Sequence, residues 1–448
     1  MTAIVLRDAS PTGTRHAPDS AIPPMIRPNG HIAVITSPVP GHLNPLQVLG
    51  AELDALGWRV TIVHVRGTER FITNDSIAFV PLPEQLGRER LDLYREKLAR
   101  PTGPIGLRRM IRATADITGA LLADAPDVLR RIGADAVIAD AVEPAGPLIA
   151  QHLGLPYVIA ATGLPLIREE GVPPPFLGWR FRPGALGRFR NRGGYAVSDR
   201  LMRPITTVLD AARLDWGIGP DERPPLVQVA QCPRELDYPR DHLPANFLYG
   251  SPWREARAEA MTLPDDGRPL VFCSLGTLQG SRRALFTVMA QACAALGARA
   301  VIGHGGGLTA AEEAMLPGDP LVRAFWPQEA VLRHCAAAVL HGGFNTVLDA
   351  LAAGVPIVAL PIAFEQPATA ARLARVGAGR VVSARSLTVR TLANALHEVM
   401  THPTYRSAAR RIATAIEADG GAAQAAAAIH SVLEPSTRRL TVSSTAYE

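Results

Sequence analysis

Lysine is all but missing from this sequence: of 46 basic residues among 448, only Lys97 is a lysine. It sits in the polar run Tyr94-Arg95-Glu96-Lys97, with neither the glycine-rich context of a P-loop nor that of a Schiff-base lysine. P-loop nucleotide enzymes and pyridoxal enzymes are thereby largely excluded. Cysteine is scarce too. Cys232, Cys273, Cys293 and Cys335 are scattered, with no C-x-x-C and no metal spacing, a pattern that fits buried thiols in a reducing compartment. No apolar run reaches the roughly 18 residues that a membrane-spanning helix requires. The first thirty residues mix Asp8, Arg15, His16 and Asp19 with prolines and lack an apolar h-region. They read as a disordered leader over 1–29 rather than a signal peptide, which points to the cytoplasm. Despite a pI near 9.3 the net charge is only +5, and no nucleic-acid-binding motif is present, so no nucleic-acid partner is expected.

Apolar residues are plentiful, at 47%. That suffices for a large core, and the length implies two domains. His31-Ile-Ala-Val-Ile reads as a buried strand followed by the loop Ser37-Pro38. Leucines 46, 49, 53 and 56 then mark a helix from Pro45, stopped by Gly57. The strand RVTIVHV from Arg59 completes a βαβ unit, which implies a parallel sheet with right-handed crossovers. Strands over 134–140 and 155–162, with a helix over Ala145–Leu153 between them, extend it. After the proline-punctuated stretch 216–253 the alternation restarts. PLVFCSLGT and AAAVLHGG are each a strand plus a loop, ARAVIG and PIVALP are strands, and 283–296 and 345–353 are helices. The chain therefore divides into a leader, an N-terminal Rossmann-like domain over 30–250 and a linker over 251–268. A C-terminal Rossmann-like domain follows over 269–404. One Ala-rich helix over 405–433 is expected to cross back to the N-terminal domain, and 434–448 is a frayed tail. Ligands of two such α/β domains belong in the crevice at the carboxyl ends of their strands.

The segment 341–366 carries most of the chemistry. Gly342-Gly343 after a strand lets backbone approach a ligand. Asn345 or Thr346 can cap the next helix, whose N-terminus suits a diphosphate. His341 can donate to a phosphate oxygen. Asp349, one turn into the helix, can accept from ribose hydroxyls. A lone Gly-Gly turn is most often an ordinary connection, but its neighbours give this one more meaning. Phe325-Trp326 upstream can stack a base, with Gln328 free for its edge or the ribose. Glu365-Gln366 downstream can bind sugar hydroxyls.

The order W-x-P-Q, H-x-G-x-N-(S/T), acid, G-V-P and (D/E)-Q over 323–379 resembles the nucleotide-sugar signature of family-1 UDP-glycosyltransferases of GT-B fold. Ser274-Leu275-Gly276-Thr277 is similar to that family's donor-phosphate loop. The resemblance implies two facing Rossmann-like domains, with a UDP-sugar as co-substrate and no cofactor. It assigns His341, Gly343, Asn345 and Thr346 to the diphosphate, Asp349 to the ribose, and Glu365 with Gln366 to the sugar. Three positions depart from the pattern. Phe325 stands where the stacking Trp is usual, Asp349 replaces Glu, and Glu365 replaces Asp.

In the N-terminal domain, His42 of Pro40-Gly41-His42-Leu43-Asn44-Pro45 follows the first strand at the cleft end of the sheet. Histidine is the side chain most readily poised as a base near neutrality. Asp140, ending another strand, can hold its tautomer; Asp135 is a rival and Glu143 lies nearby. The resemblance assigns the G-H-x-x-P histidine as base and an aspartate as its partner. It implies that His42 deprotonates an acceptor hydroxyl, whose oxygen displaces UDP from the anomeric carbon with inversion. No Asp-x-Asp and no helically paired histidines are present, so no metal is expected.

The segment 163–195 interleaves Phe176, Trp179, Phe181 and Phe189 with Arg180, Arg182, Arg188, Arg190 and Arg192. It reads either as a solvated surface loop or as a patch over 176–192 that meets an anionic membrane surface. Two pairs of stretches resemble bacterial zeaxanthin glucosyltransferases: AVEPAGPLIAQHLGLPYV with LPLIREEGVPPPF, and SLGTLQG with HGGFNTVLDA. That likeness, rather than composition, implies glucose transfer from UDP-glucose to a hydroxylated carotenoid. Other readings are a macrolide, sterol or hydroxy-lipid acceptor, a UDP-sugar 2-epimerase on the same fold, and a non-catalytic nucleotide-sugar sensor.

Overall fold

A computed structural model of the chain describes residues 29–83, 88–99, 103–219, 223–255, 261–264 and 266–444. The expected leader, apart from Asn29, lies outside the described residues, as do 256–260 and 265 of the linker. Strands β1 (His31–Ile35), β2 (Arg59–His64), β3 (Ile77–Pro81), β4 (Ala136–Asp140), β5 (Tyr157–Ala161), β6 (Gln228–Ala230) and β7 (Phe247–Leu248) build one sheet. Its order is 3-2-1-4-5-6-7, and every pairing is parallel. A second parallel sheet joins β8 (Leu270–Ser274), β9 (Arg299–Gly303), β10 (Leu321–Arg323), β11 (Cys335–Leu340), β12 (Ile357–Ala359) and β13 (Gly379–Val381). Its order is 10-9-8-11-12-13. Central strands such as β1, β4, β8 and β11 read as unbroken apolar runs because helices cover both of their faces. Two facing α/β domains of GT-B type result.

Helices α1 (Pro40–Ala55), α2 (Arg88–Ala99), α3 (Gly103–Ile132), α4 (Ala145–Leu153) and α5 (Ala185–Asp215) belong to the first domain. The second has α6 (Arg283–Ala295), α7 (Ala310–Ala314), α8 (Gln328–Leu332), α9 (Phe344–Ala352), α10 (Gln366–Val376), α11 (Val389–Thr401) and α12 (Pro403–Glu417). The helix expected from Pro45 starts earlier, with Pro40 in its first turn, a position where a missing N–H costs nothing. His42 is therefore a helical residue, not a loop residue.

The single helix expected over 405–433 is two. α12 stays on α9, and α13 (Gly421–Ser444) crosses to the first domain. Ala422, Ala425, Ala426, Ile429 and Leu433 of α13 share a core with Leu46, Leu49 and Leu53 of α1. The break falls where Asp419 Oδ1 accepts from Ser251 N (3.0 Å), Ser251 Oγ (2.8 Å) and Gly421 N (2.9 Å). The helix runs on to Ser444, through most of the span expected as a tail. All four cysteines are buried and free.

A buried ion cluster bolts the domains together behind the cleft. Asp237, after β6, accepts from Arg372 Nε of α10 (2.8 Å), Arg240 Nε (2.6 Å) and the Tyr249 hydroxyl (2.9 Å). Arg372 also lies 4.1 Å above the Tyr238 ring. Burial works against ionising Asp237, but the two guanidiniums more than offset it and hold its carboxyl below the usual range. Removing the carboxylate strands two buried cations. Asp237→Ala should therefore destabilise the fold by about 3–5 kcal/mol, seen as a lower urea midpoint. Asp266→Ala, in the exposed Arg268–Asp319 cluster, should leave that midpoint near wild type.

Candidate active site

Both sheets reverse their order at one place, between β1 and β4 and between β8 and β11. The carboxyl ends of those four strands face one another across a cavity of about 670 Å³. This is where doubly wound sheets gather ligands. It places His42, with Asp140 buried behind it, on one wall, and Gly276, Thr277, His341 and the start of α9 on the other.

His42 Nδ1 lies 2.9 Å from Asp140 Oδ2 and 2.6 Å from Thr162 Oγ1. Asp140 is fixed in turn by Thr36 Oγ1 (2.7 Å) and the Val142 N–H (3.3 Å). With Nδ1–H donated to the carboxylate, Nε2 keeps its lone pair, and it has no partner among the described residues. The ring is thus held in the tautomer a base needs. Burial alone lowers the His42 pKa. The charge and hydrogen bond of Asp140, with the charge of Glu365 from the other wall, more than offset that and leave it above its ordinary value. The rival Asp135 is at the opposite end of the sheet, accepting from the His31 N–H at 2.8 Å. Glu143 lines the cavity beside Asp140, and burial pushes its carboxyl up to about 8. Its Oε1 accepts from Thr118 Oγ1 (2.9 Å) and the Ala145 N–H (3.2 Å).

On the facing wall, α9 begins at Phe344 with Gly343 as N-cap and no side-chain cap, so neither Asn345 nor Thr346 caps it as expected. Val347 is the first residue bonded back, to Gly343 O at 3.1 Å. The N–H groups of Phe344, Asn345 and Thr346 therefore have no intrahelical acceptor, which makes this end an anion site. His341 packs so closely that a Cβ on Gly276 or Gly343 would come within 2.8 or 2.4 Å of its ring. Burial pushes its pKa down to about 4, so it is a neutral imidazole. Ser274 Oγ accepts from the Gly276 N–H at 3.2 Å, bracing that loop. Gln366 Oε1 accepts from Ile362 N (2.9 Å) and Ala363 N (2.8 Å), shaping the turn that presents Glu365. Burial raises the Glu365 pKa. Phe364, between Ala363 and Glu365, has φ of +56°, a left-handed conformation costing a bulky residue roughly 1–2 kcal/mol. Its ring reaches the core of the opposite domain.

Two expected residues are placed differently from the rest. Trp326 is turned into its domain, donating Nε1–H to Ile302 O at 2.9 Å beneath Arg323. Phe325 is 67% exposed and does not line the cavity. Gln328 does line it. The Asn345 side chain spans the cleft, donating to Gly41 O at 2.6 Å and accepting from Gln231 Nε2 at 2.7 Å. Asp349 accepts from Arg254 Nε at 2.7 Å.

Thr162, Gln231 and Arg254 are the site residues that sequence reasoning missed. Thr162 directly follows β5, next to β4, so a strand-end rule applied to the switch point would have reached it. Gln231 and Arg254 lie in the proline-punctuated stretch and the linker, where no periodic pattern marks them.

A family model described as "UDP-glucoronosyl and UDP-glucosyl transferase" matches residues 228–419. The chain is 33% identical over 419 residues to a zeaxanthin glucosyltransferase of Pantoea ananas, covering 90% of this chain and 96% of that one. A zeaxanthin glucosyltransferase of Pseudescherichia vulneris is 34% identical over 416 residues, covering 90% and 98%. The crystal structure of the glycotransferase of kitacinnamycin superposes with a TM-score of 0.73 at 23% identity, over 90% of this chain and 99% of that one. The fold and the paired strand ends define a GT-B glycosyltransferase. This chain belongs to the UDP-glucuronosyl and UDP-glucosyl transferase family and is an enzyme that transfers a sugar from a sugar nucleotide.

If neutral His42 is the working form, kcat/KM should fall as pH drops through its raised pKa, giving an acid limb above pH 6.5. Asp140→Asn removes the charge of Asp140 and leaves at most a neutral hydrogen bond, so it should shift that limb to lower pH while cutting the rate. A pH–rate profile whose limb does not move would show that Asp140 does not set the protonation of the base.

Proposed function

We propose that this enzyme moves glucose from UDP-glucose to a hydroxyl of an apolar acceptor, with zeaxanthin as the best candidate, and inverts the anomeric centre. One observation carries the mechanism: His42 lines the cavity with Nδ1 tied to Asp140, which leaves Nε2 for the acceptor, opposite the uncapped start of α9. Nε2 takes the acceptor's hydroxyl proton. The oxygen forms its bond to the anomeric carbon as the bond to the β-phosphate oxygen breaks. UDP leaves with that electron pair, stabilised by the N–H groups of α9 and by His341. An α-linked donor gives a β-glycoside.

The acceptor half rests on the likeness to two zeaxanthin glucosyltransferases and on the character of the wall. Leu98, Met110, Ile111, Phe176, Met202 and Ile205 line it. Ordinary lipophilic alcohols fit the same surface, and the acceptor assay separates them from the carotenoid.

Contact with an anionic membrane surface also belongs to this reading, through part of the stretch 176–192 and the helix that continues it. Phe181 stacks on Tyr238 (5.4 Å) and Trp179 lies under Arg190 (4.9 Å), so both rings are engaged within the protein. The exposed apolar face is instead Leu186, Phe189, Val197 and Leu201 of α5, flanked by exposed Arg188, Arg192, Arg200 and Arg203. Arginines near an anionic surface contribute about 1 kcal/mol each. No helix among the described residues is long and apolar enough to cross a membrane.

Incubation with UDP-glucose and zeaxanthin in detergent should add one hexose mass or two, and His42→Ala should slow this by about 10²-fold or more. No hexose gain from zeaxanthin, with gain on another lipophilic alcohol, would remove the carotenoid assignment. UDP-sugar turnover without acceptor would favour epimerase chemistry. In sedimentation, the protein should follow phosphatidylserine vesicles and not phosphatidylcholine ones, and Phe189→Glu should abolish this. Equal pelleting with both would contradict the charge argument.

A further inference from the structure

Among the described residues lining the cleft, one carries a permanent positive charge. Glu143, Glu255, Asp349 and Glu365 line it, and Arg254 is the sole arginine or lysine. A nucleotide-sugar diphosphate is an anion, so an acid-rich cleft must place its one cation well.

Arg254 is held for that position from both sides. The preceding Trp253 is buried in the core shared by α1 and α13, and its backbone N–H donates to Gln231 Oε1 at 3.2 Å. The guanidinium lies along the first turn of α9. Nε donates to Asp349 Oδ1 (2.7 Å), and Nη1 to Trp253 O (2.9 Å) and Gln231 Oε1 (3.3 Å). Nη2 donates to Asn345 O (3.2 Å) and Asn345 Oδ1 (3.3 Å). It thus reaches from the helix end with free N–H groups to the carboxylate one turn along.

We propose that Arg254 is the cation that meets the donor's diphosphate, a role resting on the sugar-nucleotide reading of the cleft. Nε keeps Asp349, whose second oxygen remains for the ribose. Nη2 exchanges two long bonds to neutral oxygens of Asn345 for a phosphate oxygen. Bonds between charged partners are shorter and stronger, so the exchange favours a bound diphosphate over a bound nucleoside. A guanidinium rather than an ammonium is required because one group must serve the carboxylate and the phosphate at once.

The test compares UDP with uridine by titration calorimetry on the full chain. Arg254→Met should weaken UDP by about 10- to 100-fold more than it weakens uridine, the usual worth of a hydrogen bond to a charged group, since the lost Nε–Asp349 bond touches the ribose that both probes carry. Equal losses for both would overturn the proposal, because Arg254 would then only hold Asp349 for the ribose. No loss for either would also overturn it. Wild-type protein that binds neither probe would instead sink the sugar-nucleotide reading and this role with it. Arg254→Lys keeps the charge and tests the same point should the methionine variant not fold. It should lose UDP affinity severalfold and hold uridine, whereas unchanged UDP affinity would refute the need for a fork.

Discussion

The carbonyl of Gly41 has no helical partner, because the residue four places on is Pro45 and a proline carries no N–H. That carbonyl accepts instead from the Asn345 side chain of the other domain, at 2.6 Å. Gln231 holds the same amide from its other end and reaches back to Thr162 O, one bond from the His42 ring. A single chain of polar contacts therefore sets the distance between the base and the donor turn. A helix interrupted by Pro45 is weaker than a regular one. Here the interruption supplies the acceptor that registers two domains.

The charges on the two walls follow from that closeness. Asp140 keeps His42 available as a proton acceptor and Glu365 adds to the effect from across the cleft, so the base depends on both domains. His341 is the reverse case. Buried against Gly276 and Gly343 it remains a neutral donor, suited to a phosphate oxygen without adding a charge. Glu143 is kept protonated at neutral pH by burial, so a second carboxylate does not crowd Asp140. The strain at Phe364 has a matching place. It turns a C-terminal-domain loop toward the first domain's core and leaves Glu365 at the crevice.

Much of this was legible in the residues. Apolar runs bounded by Gly and Pro located eight strands to within a residue or two, including β1, β4, β8 and β11, whose ends carry the chemistry. His42, Asp140, His341 and Asp349 all stand where strand-end and helix-start rules put them. What escaped was decided by tertiary contact. Strand β3 went unread, and β6, β7, β10 and β13 are two or three residues long, too short to show a period. The break after α12 depends on Asp419 meeting Ser251, 168 residues away. Asn345 read as a cap, because a sequence shows the helix it begins but not the carbonyl waiting across the cleft. Trp326 read as a stacking surface, because its bond to Ile302 is invisible in the order of residues.

A crystal structure of the enzyme with UDP tests the shared crevice most directly. The diphosphate should lie on the N–H groups of residues 344–346, with His42 Nε2 facing it across the sugar's space and the Asn345–Gly41 bond intact. UDP bound elsewhere, or domains parted so that residues 42 and 345 no longer face one cleft, would contradict the account.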